Sequence, residues 1–288
     1  MKEARAYCPA AVSFIFRAYL PERISDINGK IIKKLINSGS TGIGCTVDKK
    51  VYVRINRSPK KSIFFNGKKI NLPTIDKAMG FINTHPVKIE ISSQLPLASG
   101  FGISGAATLA TLYCINELLS LKHKRQELHG FAHAAEILAK TGLGTVATQI
   151  TGGFLIKNKP GLPVSCRRLK LTGKILYAAI ISGIKTDSIL NDGKKIKRIN
   201  REAERTLDEI SKMADPSMEE IIETSFAFCK KSNMLLPETE RLIEAIRNRG
   251  GKATMAMIGN VVLSTIKPHK FPGKVEQLTI TEEKAGLI

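Results

Sequence analysis

The 288 residues are 43% hydrophobic and 24% charged, a balance that excludes a disordered or low-complexity chain and leaves room for one large core or two modest lobes. With 45 Lys and Arg against 25 Asp and Glu the formal net charge is +20, which favours phosphates, nucleic acid or an anionic surface as partners. The basic residues are scattered (KIIKKL, SPKKS, NGKKI, DGKKIKR) and seldom interleaved with aromatics, so they read mainly as solvated surface, and nucleic-acid binding is not the first expectation.

In chain order, AAVSFIF near the start predicts a buried strand. The basic amphipathic stretch GKIIKKLINSG follows, and GSTGIG, Gly39 to Gly44, reads as a glycine-punctuated turn. Val51, Val53 and Ile55 alternate with polar positions, and SIFFNGKKINL carries Asn66 and Gly67, a strong hairpin signal. VKIEIS, Val87 to Ser92, predicts another strand that runs straight into PLASGFGISGAAT. Behind it, Leu109, Leu112, Tyr113, Ile115 and Leu119 recur at helical spacing, and RQELHGFAHAAEILAK continues with a second helical pattern. TGLGTVATQITGGFLIKNKPGLPVS reads as turn-rich, and KILYAAIIS as a buried strand. After a polar stretch come helical patterns near 199–213, 217–232 and 238–249, then two strands in KATMAMIGNVVLSTI. This order predicts an α+β fold with two lobes rather than a regular βαβ winding.

Five cysteines, an odd number set far apart without a C-x-x-C pair, point to reduced core thiols rather than a zinc or disulfide framework. No stretch resembles a signal peptide or a membrane span, and a cytoplasmic protein is the expectation.

The chemistry concentrates in PLASGFGISGAAT. Gly100, Gly102 and Gly105 stand where the chain turns from strand to helix, so backbone N–H groups can approach a ligand and the helix adds its unpaired donors and positive end. An anion suits that position. The plainer alternative is a turn made by glycines with Ser104 as helix cap. No Gly-Lys-Ser/Thr closes the loop, which sets it apart from a Walker-type P-loop, and the spacing is wrong for a dinucleotide fingerprint.

Pro96, three residues, then Gly100-Phe101-Gly102-Ile103-Ser104-Gly105-Ala106 resembles the ATP-binding signature of the GHMP kinases, with Phe101 for the usual Leu and Ile103 for the first Ser. Further pieces follow in family order: AHAAE, Ala132 to Glu136, and KATMAMIG near the end. CPAAVSFIF, GSTGIG, TGLGTVATQITGG and ATMAMIG together resemble the archaeal pantoate kinase branch across nearly the whole chain. The resemblance implies a ribosomal-protein-like N-terminal lobe, 1–165, that binds ATP, and a ferredoxin-like C-terminal lobe, 166–288. It implies ATP over Pro96 and Gly100 to Ala106, with Mg2+ held by Ser104 and Glu136. It implies pantoate as the acceptor, with Ser13, Ser40 and Thr41 as candidate donors and Arg17 as counter-charge, and a homodimer is common in this branch. Homoserine, mevalonate or shikimate is the alternative acceptor, and an RNA-binding module the distant alternative.

At the position where that branch carries an Asp to orient or deprotonate the acceptor, the chain has Thr145, whose hydroxyl is too weak a base near neutral pH. Phosphoryl transfer through a loose transition state can proceed without a protein base, so the chain is still expected to be a kinase. His133, one turn before Glu136, is expected to be structural, and the polar segment 187–198 is a candidate lid.

Overall fold

The computed structural model describes residues 2–21, 29–82, 84–182 and 192–288. Two long antiparallel strands, β1 (Glu3–Tyr19) and β2 (Gly39–Arg57), form the spine, with α1 (Gly29–Asn37) between them in sequence. β2 changes partner along its length. Gly42 to Cys45 pair with β6 (Phe154–Lys157), whereas Val51 to Arg57 pair with β5 (Val87–Ser93). β5 runs parallel to β3 (Ser62–Phe65), which turns at Asn66 and Gly67, both at positive φ, into β4 (Lys68–Lys69). β7 (Cys166–Leu169) pairs with β6, and β12 (Gly286–Leu287) returns to the free edge of β1. The boundary expected at 165/166 therefore falls between two paired strands of one sheet.

A second, wholly antiparallel sheet has the order β11 (Lys274–Thr279), β8 (Ile175–Ser182), β10 (Asn260–Ser264), β9 (Ala253–Met255). Helices α2 (Pro73–Ile82), α3 (Ile103–Leu119), α4 (Arg125–Ala139) and α5 (Thr145–Thr151) accompany the first sheet. α7 (Met218–Lys231) and α8 (Pro237–Arg247) pack on β9, and α6 (Gly193–Ser211) lies against β1. α3 is apolar on almost every side and buried along most of its length, as a central helix must be. The polar face of α6 is left to solvent, with Ile196, Ile199, Ala203 and Ile210 turned inward. The result is the expected two-sheet α+β architecture.

Two irregularities in β1 join these parts. Pairing with β2 breaks between Pro9 and Ala11 and again between Ser13 and Ile15. At the first break the Ala11 amide donates to the Phe101 carbonyl (2.9 Å), tying β1 to the glycine loop. At the second, the Ser13 and Phe14 carbonyls accept from the Met257 amide (2.9 Å) and the Ser225 hydroxyl (2.7 Å), tying β1 to the connection between β9 and β10 and to helix α7. Bulges bend a strand and free backbone groups, and here both freed sets are used. Farther along, Asn200 of α6 clamps the Ala18 backbone with two hydrogen bonds (2.8 and 2.9 Å).

Several sequence expectations need correction. GSTGIG is strand, not turn: Gly39 and Gly42 have φ of 134° and 143°, and a Cβ there would strike the Leu143 and Ile15 carbonyls, so close backbone approach explains these glycines. The turn-rich reading of 141–165 missed α5 and β6, both short and surrounded by glycine. α2 and β11 also went unread. Of the candidate lid, residues 187–191 lie outside the described residues; Asp192 caps α6 by accepting from the Lys194 and Lys195 amides, and 193–198 is helical. All five cysteines are free, four of them buried and Cys166 half-buried. Among the described residues no helix is long and apolar enough to cross a membrane.

Candidate active site

The loop between β5 and α3 begins at Pro96 and Ala98 and enters the helix through Gly100 and Gly102, at φ 85° and 64°. Gly102 is the N-cap, in the left-handed conformation and without a side-chain cap, so Ser104 is inside the first turn rather than capping it. Phe101 is fully buried and anchors the loop. The Phe101 carbonyl accepts from Ala11, and the Gly102 carbonyl from Gln149 Nε2 of α5 (3.0 Å). Both carbonyls are held inward, so the trans peptides aim the Gly102 and Ile103 amides the opposite way, beside the open first turn of α3. Backbone donors at a helix N-terminus suit a phosphate group. Gly259, in ATMAMIG, packs back to back with this loop: a Cβ on it would lie 2.7 Å from the Gly100 Cα. That contact explains the C-terminal glycine.

Behind the first turn is Glu136 of α4, 2% exposed. Its Oε1 accepts from the Thr141 hydroxyl (3.2 Å), and its Oε2 has no hydrogen-bond partner. A Cβ on Gly105 would lie 2.7 Å from Oε2 and one on Gly142 2.5 Å, so both glycines are needed to admit the carboxylate. Burial pushes its pKa up to about 7, only partly opposed by Thr141. A buried, half-satisfied carboxylate beside the loop fits a divalent cation as missing partner. Among the described residues no group of three or more acidic, His or Cys side chains is placed to hold a metal ion by itself. Ser104, next to Gly105 on α3, shares a hydrogen bond with the Thr74 hydroxyl of α2 (2.9 Å). Nothing in the sequence marked Thr74, which precedes the loop by a strand and a helix. His133 is buried as expected. Its Nε2 donates to the Ser38 carbonyl (2.8 Å), and burial drives its pKa down to about 4.

The far end of the site is assembled from α5, β2 and β6. Thr145 opens α5, and its methyl group fills the space a Cβ on Gly102 would need. Beside it, Gly144 leaves room for two polar atoms that a Cβ would strike, Ser40 Oγ and Lys157 Nζ. Lys157 is 7% exposed, donates to the Gly144 carbonyl (2.8 Å), and has its pKa lowered by burial to about 8. Sequence reasoning missed it, the last residue of FLIK, because only a buried location distinguishes this lysine from the many at the surface. The other acceptor candidates are dispersed. Thr41 and Arg17 are cross-strand partners, and strand alternation places them on the face opposite Ser40 and Lys157, where Arg17 pairs with Glu204 of α6 (3.0 Å). Ser13 lies at the second bulge.

A two-sheet α+β fold with a glycine loop feeding a helix over a buried carboxylate is the arrangement expected of a GHMP kinase, and comparison with known proteins places the chain in that class. The model of that family's N-terminal domain, described as "GHMP kinases N terminal domain", matches residues 71–153. A solved structure titled "Phosphotransferase related to CoA biosynthesis pathway" superposes with a TM-score of 0.82 at 19% identity, covering 99% of this chain and 98% of that one. The pantoate kinase of Methanocaldococcus jannaschii is 31% identical over 81% of this chain and 85% of its own length. The homoserine kinase of Thermoplasma volcanium is 30% identical over only 34% of this chain and 32% of its own. The chain belongs to the pantoate kinase family.

Proposed function

We propose that the protein transfers the γ-phosphoryl group of ATP to the primary hydroxyl of pantoate, giving 4-phosphopantoate for coenzyme A synthesis. The observation that carries the phosphotransfer half is Glu136, a buried carboxylate with a free oxygen directly beneath the helix turn that the glycine loop opens. The acceptor half is supported by a likeness to a pantoate kinase that runs through both sheets, whereas the likeness to a homoserine kinase covers a third of the chain.

In this reading the Gly102 and Ile103 amides, with the first turn of α3, hold the β- and γ-phosphates, and Pro96, Gly100, Gly105 and Ala106 shape the cradle. Ser104 and Glu136 would hold magnesium, which when bound would supply charge neutralisation for the phosphate oxygens. With Ser104 donating in its hydrogen bond with the Thr74 hydroxyl, the Ser104 oxygen would keep its lone pairs for the metal. The acceptor lies toward Ser40 and Thr145, with Thr145 also packing the loop from below. Assaying ATP consumption with magnesium against pantoate, homoserine, mevalonate and shikimate tests the proposal. Preferred turnover of pantoate is expected; preference for another alcohol, or no turnover of any, overturns it.

A further inference from the structure

Phosphoryl transfer to an alcohol releases a proton, and the side chains lining the acceptor end offer few places for it. Thr145 and Ser40 are hydroxyls with no basicity near neutral pH. His133 is buried, its Nε2 donates to the Ser38 carbonyl, and with a pKa lowered to about 4 its other ring nitrogen is a weak proton acceptor near neutral pH; Glu136 lies under Gly105 at the metal end. Lys157 is different. Its Nζ reaches the carbonyl of Gly144, the residue next to Thr145, and adjoins the Ser40 hydroxyl. It is buried, and no carboxylate of the described residues pairs with it to hold it charged. Gly144 is the opening that admits it, since any side chain there would displace the amine.

We infer that Lys157 is the proton acceptor of the reaction, standing in for the carboxylate that position 145 lacks. The inference rests on the phosphotransferase reading above. The acceptor O–H bond breaks as its oxygen bonds to the γ-phosphorus, the bond from that phosphorus to the bridging oxygen breaks with its electron pair leaving on ADP, and the proton passes to the Nζ lone pair to give the ammonium. Burial lowers the Lys157 pKa to about 8, close to working pH, as a general base requires. Of the titratable groups around it, Cys166, its cross-strand partner on β7, acts in the opposite direction, and His133 on α4 stays neutral above its own pKa of about 4.

The test is a pH profile of kcat/KM from pH 6 to 9.5 for wild type, K157R, and K157R combined with T145D, with pantoate affinity measured by calorimetry and folding by thermal unfolding. Wild type is expected to rise about tenfold per pH unit below about 8 and then level off, because the neutral amine is the active form. K157R keeps a charge but cannot give up its proton, so kcat is expected to fall about 10²- to 10⁴-fold with pantoate affinity within about threefold. T145D is expected to restore at least about tenfold of that loss by returning a carboxylate. A flat wild-type profile, which needs no variant, overturns the inference. So does a K157R enzyme of near-normal kcat, or one whose loss lies entirely in pantoate affinity, which would make Lys157 an anchor for the acid group. The pantoate reading is tested separately by wild-type turnover, and the Lys157 profile is read on whichever acceptor is turned over; if none is, both fall.

Discussion

The two ends of the site are built on opposite plans. In the proposed reading, the ligand-facing atoms at the phosphate end are backbone amides of consecutive residues, Gly102 and Ile103, backed by one helix turn. At the acceptor end they are side chains from three separated segments, Ser40, Thr145 and Lys157, brought together by the switch of β2 from β5 to β6. A phosphate is the same in every member of such a family, so a local backbone device serves it. An acceptor alcohol differs from enzyme to enzyme, and a surface made of separate strands can be altered one residue at a time. The comparison also separates the charges. The phosphate end buries an anion, Glu136, and the acceptor end a cation, Lys157, each raised in energy by burial without a full partner.

Apart from the Lys157 variants already described, removing the anion should have the largest effect. Glu136→Gln is expected to lower turnover by about 10²- to 10³-fold, roughly 3 to 4 kcal/mol of transition-state stabilisation, while raising the melting temperature of the metal-free protein, because an incompletely solvated charge is gone. Turnover and calorimetric unfolding without magnesium check both halves; a loss of both activity and stability would make Glu136 structural.

The cation leaves its mark on stability. The folded pKa of Lys157, about 8, lies below its ordinary value of 10.5, so the unfolded chain binds more protons between those values and stability rises as pH increases from about 8 toward 10.5. The rise is expected to reach about 3 kcal/mol, and K157M should abolish it; urea melts at pH 7.5 and 10 measure the difference.

The loop itself comes next. Gly259→Ala places a methyl group against Ser99 and the Gly100 Cα and is expected to cost about 2 kcal/mol and to raise the KM for ATP several-fold with little change in that for pantoate. Equal effects on both substrates would argue that the two ends do not move independently. The smallest effect is expected from Thr74→Val, about 1 kcal/mol, read as weaker magnesium dependence of ATP binding, with Thr74→Ser near wild type.

How much of this was legible depends on what each residue does. Gly100, Gly102 and Ser104 could be named as candidates because a backbone cradle is contiguous and its glycines are spaced by the turn they make. Glu136 was named as a candidate through family resemblance alone, since a carboxylate on a helix ordinarily faces solvent, and only the structure shows that it is buried. Thr74 and Lys157 could not be found: a threonine near a helix start and a lysine ending an apolar strand are common, and only burial against another segment gives them meaning. GSTGIG was misread because glycine admits two explanations, a turn or a close approach, and pattern alone does not choose between them.

By itself the sequence determined most of the succession of strands and helices, the glycine loop before α3 and the absence of a carboxylate at position 145, because periodicity, turn chemistry and residue identity are local properties. Only the tertiary structure decided that Gly259 meets Gly100, that Glu136 loses its water under Gly105, and that Lys157 comes to Gly144. These depend on contacts between segments up to about 160 residues apart in the chain, and burial, which sets the charge state of both groups, exists only once those segments have packed.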